Sequence, residues 1–249
     1  MESYRTLCTR FYDVDKPQPP ADALAFYLGY CTRARGPVLE PMCGSGRFLV
    51  PIMERGVDID GVDASQAMLE ACRTKCRERG LAPQLFEQTV ERMTLPRRYD
   101  LVILPASSFC LLTEPTQIHD ALLAIRSAMV PGATLVIEIE LHLNRESQSW
   151  PWSGRWVDLP EGGKIVISSL NTYDAADHIM RSVSRYDLMK DGKLCETEME
   201  ALDLRYYDRA EFHSLLENAG FVAIDCVRPY SGEKPDGDET VVFECRCRD

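Results

Sequence analysis

The sequence has no apolar run near the length needed to cross a bilayer, so no membrane-spanning helix is expected. Its first residues, Met1-Glu2-Ser3-Tyr4-Arg5, carry charge without an apolar core behind it, which is not the build of a secretory signal. A cytoplasmic location without membrane association is the expectation. Positive charge is the scarcer sign: 28 lysines and arginines stand against 39 aspartates and glutamates, a net charge of -11. Such a surface repels phosphate backbones and argues against a nucleic acid as the main substrate. No Cys-x-x-Cys occurs among the ten cysteines. Cys72 and Cys76 would share a helix face, and Cys245 and Cys247 a strand face; neither is the paired spacing of a structural zinc site. No metal is expected, and a disulfide framework fits neither the length nor the missing signal. The cysteines read as reduced structural thiols. Internal repeats and low-complexity tracts are also missing.

What is present is a strand–helix alternation from Val38 to about His142. Val38–Met42 reads as a strand, Arg47–Arg55 as a helix and Asp58–Asp63 as a second strand. Ser65 is placed to cap a helix that runs to Arg79 before Gly80 ends it. Gln84–Gln88 reads as a third strand. Tyr99–Leu104 is a fourth, nearly continuous in apolar residues and so expected to be buried on both faces. A helix from Pro115 to Met129, a Pro131-Gly132 turn and a strand over Thr134–Leu141 follow. This order predicts a parallel sheet with helices on both sides.

Between Trp150 and Tyr207 no helical pattern appears. Lys164–Tyr173, Ile179–Met189 and Leu194–Tyr206 read as strands joined by polar turns, one of them the hairpin signal Asp191-Gly192. An inserted antiparallel meander of this length is expected to cover something. The α/β pattern then resumes: Asp208 caps a helix through Asn218, Gly220 ends it, and strands follow over Phe221–Arg228 and Thr240–Cys245. Residues up to about 20 read as irregular.

The densest signal is Glu40-Pro41-Met42-Cys43-Gly44-Ser45-Gly46-Arg47, with Gly61-Val62-Asp63 after it. A strand ending in an acid, a glycine turn and a second strand ending in an acid is how an α/β sheet holds a nucleoside. A dinucleotide site competes, as in an NAD(P)-dependent oxidoreductase. That frame, Gly44-Ser45-Gly46-Arg47-Phe48-Leu49, puts Leu49 where a small residue belongs and leaves Glu40 unexplained. The stretch Glu40–Gly46 resembles the first motif of class I S-adenosylmethionine-dependent methyltransferases. Gly61-Val62-Asp63-Ala64-Ser65, Tyr99-Asp100-Leu101-Val102-Ile103, the helix and strand around Pro131-Gly132, and Arg205-Tyr206-Tyr207 through Gly220-Phe221 are similar to later pieces of that family.

The resemblance implies a Rossmann-like α/β fold. Its seven-stranded sheet is mostly parallel with an antiparallel last strand, helices on both faces and the meander inserted. Residues 37–146 and 207–249 would form the methyltransferase domain, 1–36 an N-terminal cap, and 147–206 a lid. S-adenosylmethionine would be the cofactor and S-adenosylhomocysteine the product. A small molecule would accept the methyl group on nitrogen, oxygen or carboxyl, by in-line displacement. A protein that binds the cofactor without chemistry is the other alternative, and a monomer or homodimer is expected. Glu40, Cys43, Gly44, Gly46 and Arg47 would surround the methionine end, Asp63 the ribose diol, and Ala64 the adenine. Gln88, Thr89 or the backbone at Val90 would take the adenine amino group, and Pro105 lies where the fourth strand ends. That end, Leu104-Pro105-Ala106-Ser107-Ser108-Phe109, lacks the Asp/Asn-Pro-Pro-Tyr/Phe of enzymes that methylate bases. His142, beside Glu140 at the fifth strand's end, is a candidate base. Tyr12 resembles an N-terminal tyrosine that closes some small-molecule members. Trp150, Trp152 and Trp156 would either wall a substrate pocket or form the insertion's core.

Overall fold

The computed structural model describes residues 4–248. Its first elements are helices α1 (Thr6–Asp15) and α2 (Ala21–Cys31), where the sequence suggests irregular chain up to about residue 20. The alternation follows: β1 (Val38–Pro41), α3 (Leu49–Met53), β2 (Ile59–Asp63), α4 (Gln66–Glu78), β3 (Gln84–Glu87), β4 (Tyr99–Leu104), α5 (Pro115–Ser127) and β5 (Met129–Glu140). The helix expected over Arg47–Arg55 shrinks to α3 because the glycine turn extends through Phe48, with Gly46 at φ +79. The Pro131-Gly132 pair does not precede β5 but bulges within it. Its register against β4 jumps from Tyr99↔Met129 to Leu101↔Thr134, and Gly132 takes φ +74 to allow the bulge. Ser65 caps α4 as expected, its Oγ accepting from the Met68 N–H at 3.1 Å.

The second part of the chain supplies a separate antiparallel sheet: β6 (Gln148–Ser149), β7 (Ser153–Asp158), β8 (Lys164–Asp174), β9 (Ile179–Lys190) and β10 (Lys193–Arg205). Helix α6 (Arg209–Asn218) follows, started by a capping box between Asp208 and Glu211. Two strands, β11 (Phe221–Val227) and β12 (Thr240–Cys247), return to the large sheet. Its order is β11-β12-β5-β4-β1-β2-β3, with β12 antiparallel to both neighbours and β1 to β5 parallel. This is the Rossmann-like arrangement the sequence suggests, and β4 shows why its apolar run is unbroken. Val102 and Leu104 enter the core under α5 and α6, while Leu101 and Ile103 enter the core under α2, α3 and α4.

A third, smaller core joins α1 to the second sheet through Leu7, Cys8, Phe11, Ile165, Tyr186 and Leu188. Helix α1 has no side-chain cap of its own. Its free N–H groups are met from β10 instead. Glu200 accepts from Tyr4 (3.1 Å) and Arg5 (2.6 Å), and Glu198 from Leu7 (3.2 Å) and Cys8 (3.0 Å). Two carboxylates at a helix N-terminus satisfy orphan donors and oppose the helix dipole. Replacing a cap by alanine costs about 1 kcal/mol. Glu198→Ala is therefore expected to speed amide hydrogen exchange across α1 while leaving β1, β4 and β5 protected. Unchanged exchange in α1 would show that the apolar contacts alone hold it.

Candidate active site

A cleft of about 680 Å³ lies at the carboxyl edge of β1, β2 and β4. This is where an open α/β sheet places ligands. Its floor is the glycine turn after β1, the Asp63–Ser65 corner after β2, and Pro105–Ser108 after β4. The 88–91 segment closes one end. The far wall comes from outside the large sheet: Tyr12 of α1, Lys16 just after that helix, and Ala201–Leu204 of β10.

The glycine turn and the second acid are joined directly. The Gly44 N–H donates to Asp63 Oδ2 at 2.7 Å, and the Ser65 N–H to Asp63 Oδ1 at 2.8 Å. Each oxygen keeps a further lone pair. Burial pushes the Asp63 carboxyl up, against the Ser65, Gly44 and Ala64 N–H groups that hold it down. The two glycines do different work. A Cβ on Gly44 would meet nothing nearer than Met68 Sδ at 3.8 Å, so this backbone is open for close approach. A Cβ on Gly46 would sit 2.5 Å from Cys72 Sγ and 2.8 Å from Val50 Cγ2. Gly46, expected beside the cofactor, is not among the cleft-lining residues and backs onto Cys72 and Val50.

Glu40 lines the cleft yet is only 3% exposed, and its Oε2 has no hydrogen-bond partner. Burial first, and then the Asp63 carboxylate, push its carboxyl well above the ordinary carboxylate range. A buried acid without a cation or a full set of donors is costly unless something positive completes it.

Cys43, Arg47, Ala64, Gln88, Thr89, Val90, Pro105 and Tyr12 all line the same cleft. Burial raises the Cys43 thiol. Burial also raises the Tyr12 hydroxyl, against the Arg47 guanidinium beside it. The Gln88 carboxamide is engaged elsewhere, accepting from the Thr94 N–H at 2.7 Å and donating to the Thr94 carbonyl at 3.2 Å. His142 is not among the lining residues. Its ring stacks on His178, 3.9 Å between centroids, and its Nδ1 accepts from the Asn144 N–H. Trp152 and Trp156 fit neither suggested role. Trp152 and Trp156 are 52% and 60% exposed, and alternation along β7 turns Trp156 away from the core that holds Val157.

Several lining residues carry no sequence signal. Tyr4 and the β10 segment come from distant chain. Glu91, next to the positions weighed for adenine, has a buried Oε2 without a partner, while its Oε1 accepts from Gln117 at 3.3 Å. Ala106 and Ser107 take φ +57 and +53 in succession. The left-handed conformation costs a residue with a Cβ about 1–2 kcal/mol. It brings Ser107 Oγ to 2.9 Å from Glu140 Oε1 and 3.3 Å from Glu138 Oε1. Acids outnumber cations on the lining: Glu40, Asp63, Glu91 and Asp203 against Lys16 and Arg47.

Residues 38–132, which run from β1 to the bulge in β5, match the family model described as a methyltransferase domain. That stretch of the chain is similar to methyltransferase domains. A ubiquinone biosynthesis O-methyltransferase from Rickettsia felis is 29% identical over 66 residues, a match spanning 26% of this chain and 27% of that protein. Among solved structures, an S-adenosylmethionine-dependent methyltransferase from Clostridium acetobutylicum superposes with a TM-score of 0.77 at 18% identity, over 96% of each chain. The sugar N-methyltransferase KedS8 from Streptoalloteichus superposes with a TM-score of 0.76 at 19% identity, over 100% of this chain and 97% of its own. Both likenesses extend over nearly the whole of this chain and so concern its fold.

Proposed function

We propose that this chain transfers the methyl group of S-adenosylmethionine to an amino group on a small molecule. One observation carries the reading: Glu40, which has a buried, partnerless carboxylate oxygen, lines the same cleft as Asp63 and the unencumbered Gly44 backbone. A ligand with an ammonium at one end and a sugar diol at the other fits that pair of acids. S-adenosylmethionine supplies an electrophilic methyl group on a positive sulfur.

The residues divide the work. Glu40 holds the positive methionine end, with Cys43, Gly44 and Arg47 around it. Asp63 accepts from both ribose hydroxyls, for which its two oxygens have room. Ala64 and Val90 pack against the base, Thr89 offers an acceptor to its amino group, and Pro105 borders the sulfur. Tyr12 and the β10 segment exclude water over the transfer site, so that positioning supplies much of the rate. In this reading residues 1–36 and 147–206 form the cover, and 37–146 with 207–249 the catalytic domain. KedS8, which shares the fold, is a sugar N-methyltransferase, and an amino sugar has the size for a cleft of about 680 Å³.

The purified protein is expected to bind S-adenosylhomocysteine, and Asp63→Ala to weaken that binding by about tenfold or more, the worth of a hydrogen bond to a charged group. Calorimetry is the measurement. An unchanged affinity would take Asp63 out of the site. Methyl transfer from labelled cofactor across a panel of small amines, alcohols and acids then tests the acceptor class.

A further inference from the structure

We propose that Ser107 takes the proton of the methyl-accepting nitrogen and passes its own to the carboxylate pair behind it, Glu140 and Glu138. This inference rests on the reading above and adds the group that readies the acceptor.

The sheet order places Ser107 at the reacting end. Asp63 follows β2, the glycine turn follows β1, and Ser107 follows β4, so the three sit in sequence along one edge. With the ribose on Asp63 and the amino-acid tail by Gly44 and Glu40, the methyl group would lie toward β4, the next strand along that edge. Ser107 lines the cleft there, and its hydroxyl turns to the two acids.

Those acids meet hydroxyl donors from several elements. Glu138 is 4% exposed. It accepts from Tyr27 of α2 at 3.0 Å and from Tyr230 at 2.9 Å. Glu140 accepts from Thr240 of β12 at 3.1 Å, and its N–H faces Cys110 Sγ at 3.3 Å. Tyr206 is the other titratable group close to Glu140. Among the described residues no lysine or arginine bonds to either acid. One hydroxyl proton therefore bridges two carboxylates. Burial, with Glu140 beside it, holds the Glu138 carboxyl above its ordinary range, the direction that makes a better base at neutral pH.

The step balances. A protonated amine gives an N–H proton to Ser107 Oγ, and the Ser107 hydroxyl proton moves to Glu140 Oε1. The freed nitrogen lone pair forms the bond to the methyl carbon, and the carbon–sulfur bond breaks with its electrons left on sulfur. The carboxyl returns its proton to water once product leaves. Ser107 is the catalytic residue; Glu140 and Glu138 act through it.

The test needs no acceptor. Sinefungin carries a primary ammonium on carbon where the cofactor carries its methylated sulfur, so it presents an N–H donor at the transfer position. By calorimetry at pH 7 the wild type is expected to bind sinefungin about tenfold more tightly than S-adenosylhomocysteine, as charge-assisted hydrogen bonding gives. In Ser107→Ala and in Glu140→Gln that ratio should fall to near one with S-adenosylhomocysteine affinity unchanged. The wild-type ratio should also shrink as pH falls through the carboxylate range, and the Glu140→Gln ratio should not. Ratios that stay at the wild-type value in both variants overturn the relay. So does a loss of S-adenosylhomocysteine affinity in Ser107→Ala, which would make Ser107 a wall of the nucleoside site. A wild type that binds both nucleosides equally overturns the relay alone; one that binds neither overturns the cofactor reading.

Discussion

Gly46→Ala is expected to cost the domain about 2–5 kcal/mol of stability. The new methyl would stand 2.5 Å from Cys72 Sγ and 2.8 Å from Val50 Cγ2, in a core where both are buried. Overpacking of that kind costs about 1–3 kcal/mol, and the left-handed φ adds roughly 1–2 kcal/mol for a residue with a Cβ. Together they consume a large share of a stability that is typically about 5–15 kcal/mol. Thermal melting is the measurement. Adding Cys72→Ala should recover part of the loss, because it removes the nearest clashing atom but not the backbone strain. Gly44→Ala is the internal contrast. Its Cβ meets Met68 Sδ at 3.8 Å, an ordinary contact, so only the strain at φ +54 remains. That variant should stay folded and lose nucleoside binding. Equal melting points for the two variants would contradict this division of labour.

Glu40→Gln should make the ligand-free protein more stable and the cofactor complex weaker. The folded state holds this carboxyl well above its ordinary value of 4.5, because burial and Asp63 both disfavour the charge. A raised folded value means the group favours folding at low pH, and that advantage fades as pH rises through the folded value. The variant cannot ionise, so its stability should decline less steeply above pH 4.5, with the gap over wild type widest at alkaline pH. In the complex the sign reverses. The positive methionine end completes the carboxylate, a charged hydrogen bond is worth about 1.5–3 kcal/mol, and S-adenosylmethionine affinity should drop by about ten- to a hundredfold. Binding to wild type should release a proton, seen as a buffer-dependent calorimetric heat, and binding to Glu40→Gln should release less. Identical heats in buffers of different ionisation enthalpy would mean that Glu40 is already charged in the free protein.

Much of the architecture is legible where local chemistry suffices. The apolar run of β4, the Ser65 cap of α4 and the Asp208–Glu211 box of α6 each state their element within a few residues. Helix α1 is not legible, because its start signal is supplied by Glu198 and Glu200, more than 190 residues away. His142 shows the converse error. A strand end near the ligand edge suggests a base, but the His142 N–H is held by the Tyr207 carbonyl and the ring stacks on His178 of the β8–β9 turn, which draws it from the cleft.

The order of the acids and glycines along the chain determined by itself that β1 and β2 would present Glu40, Gly44 and Asp63 at one edge, since short parallel strands joined by helices leave their carboxyl ends together. Which partner each group meets was decided only by the tertiary fold. The empty side of Glu40, the clash waiting behind Gly46, the β10 wall and the Ser107 bridge to two acids all arise between segments far apart in sequence. Burial and close packing set them, and neither is a property of a segment taken alone.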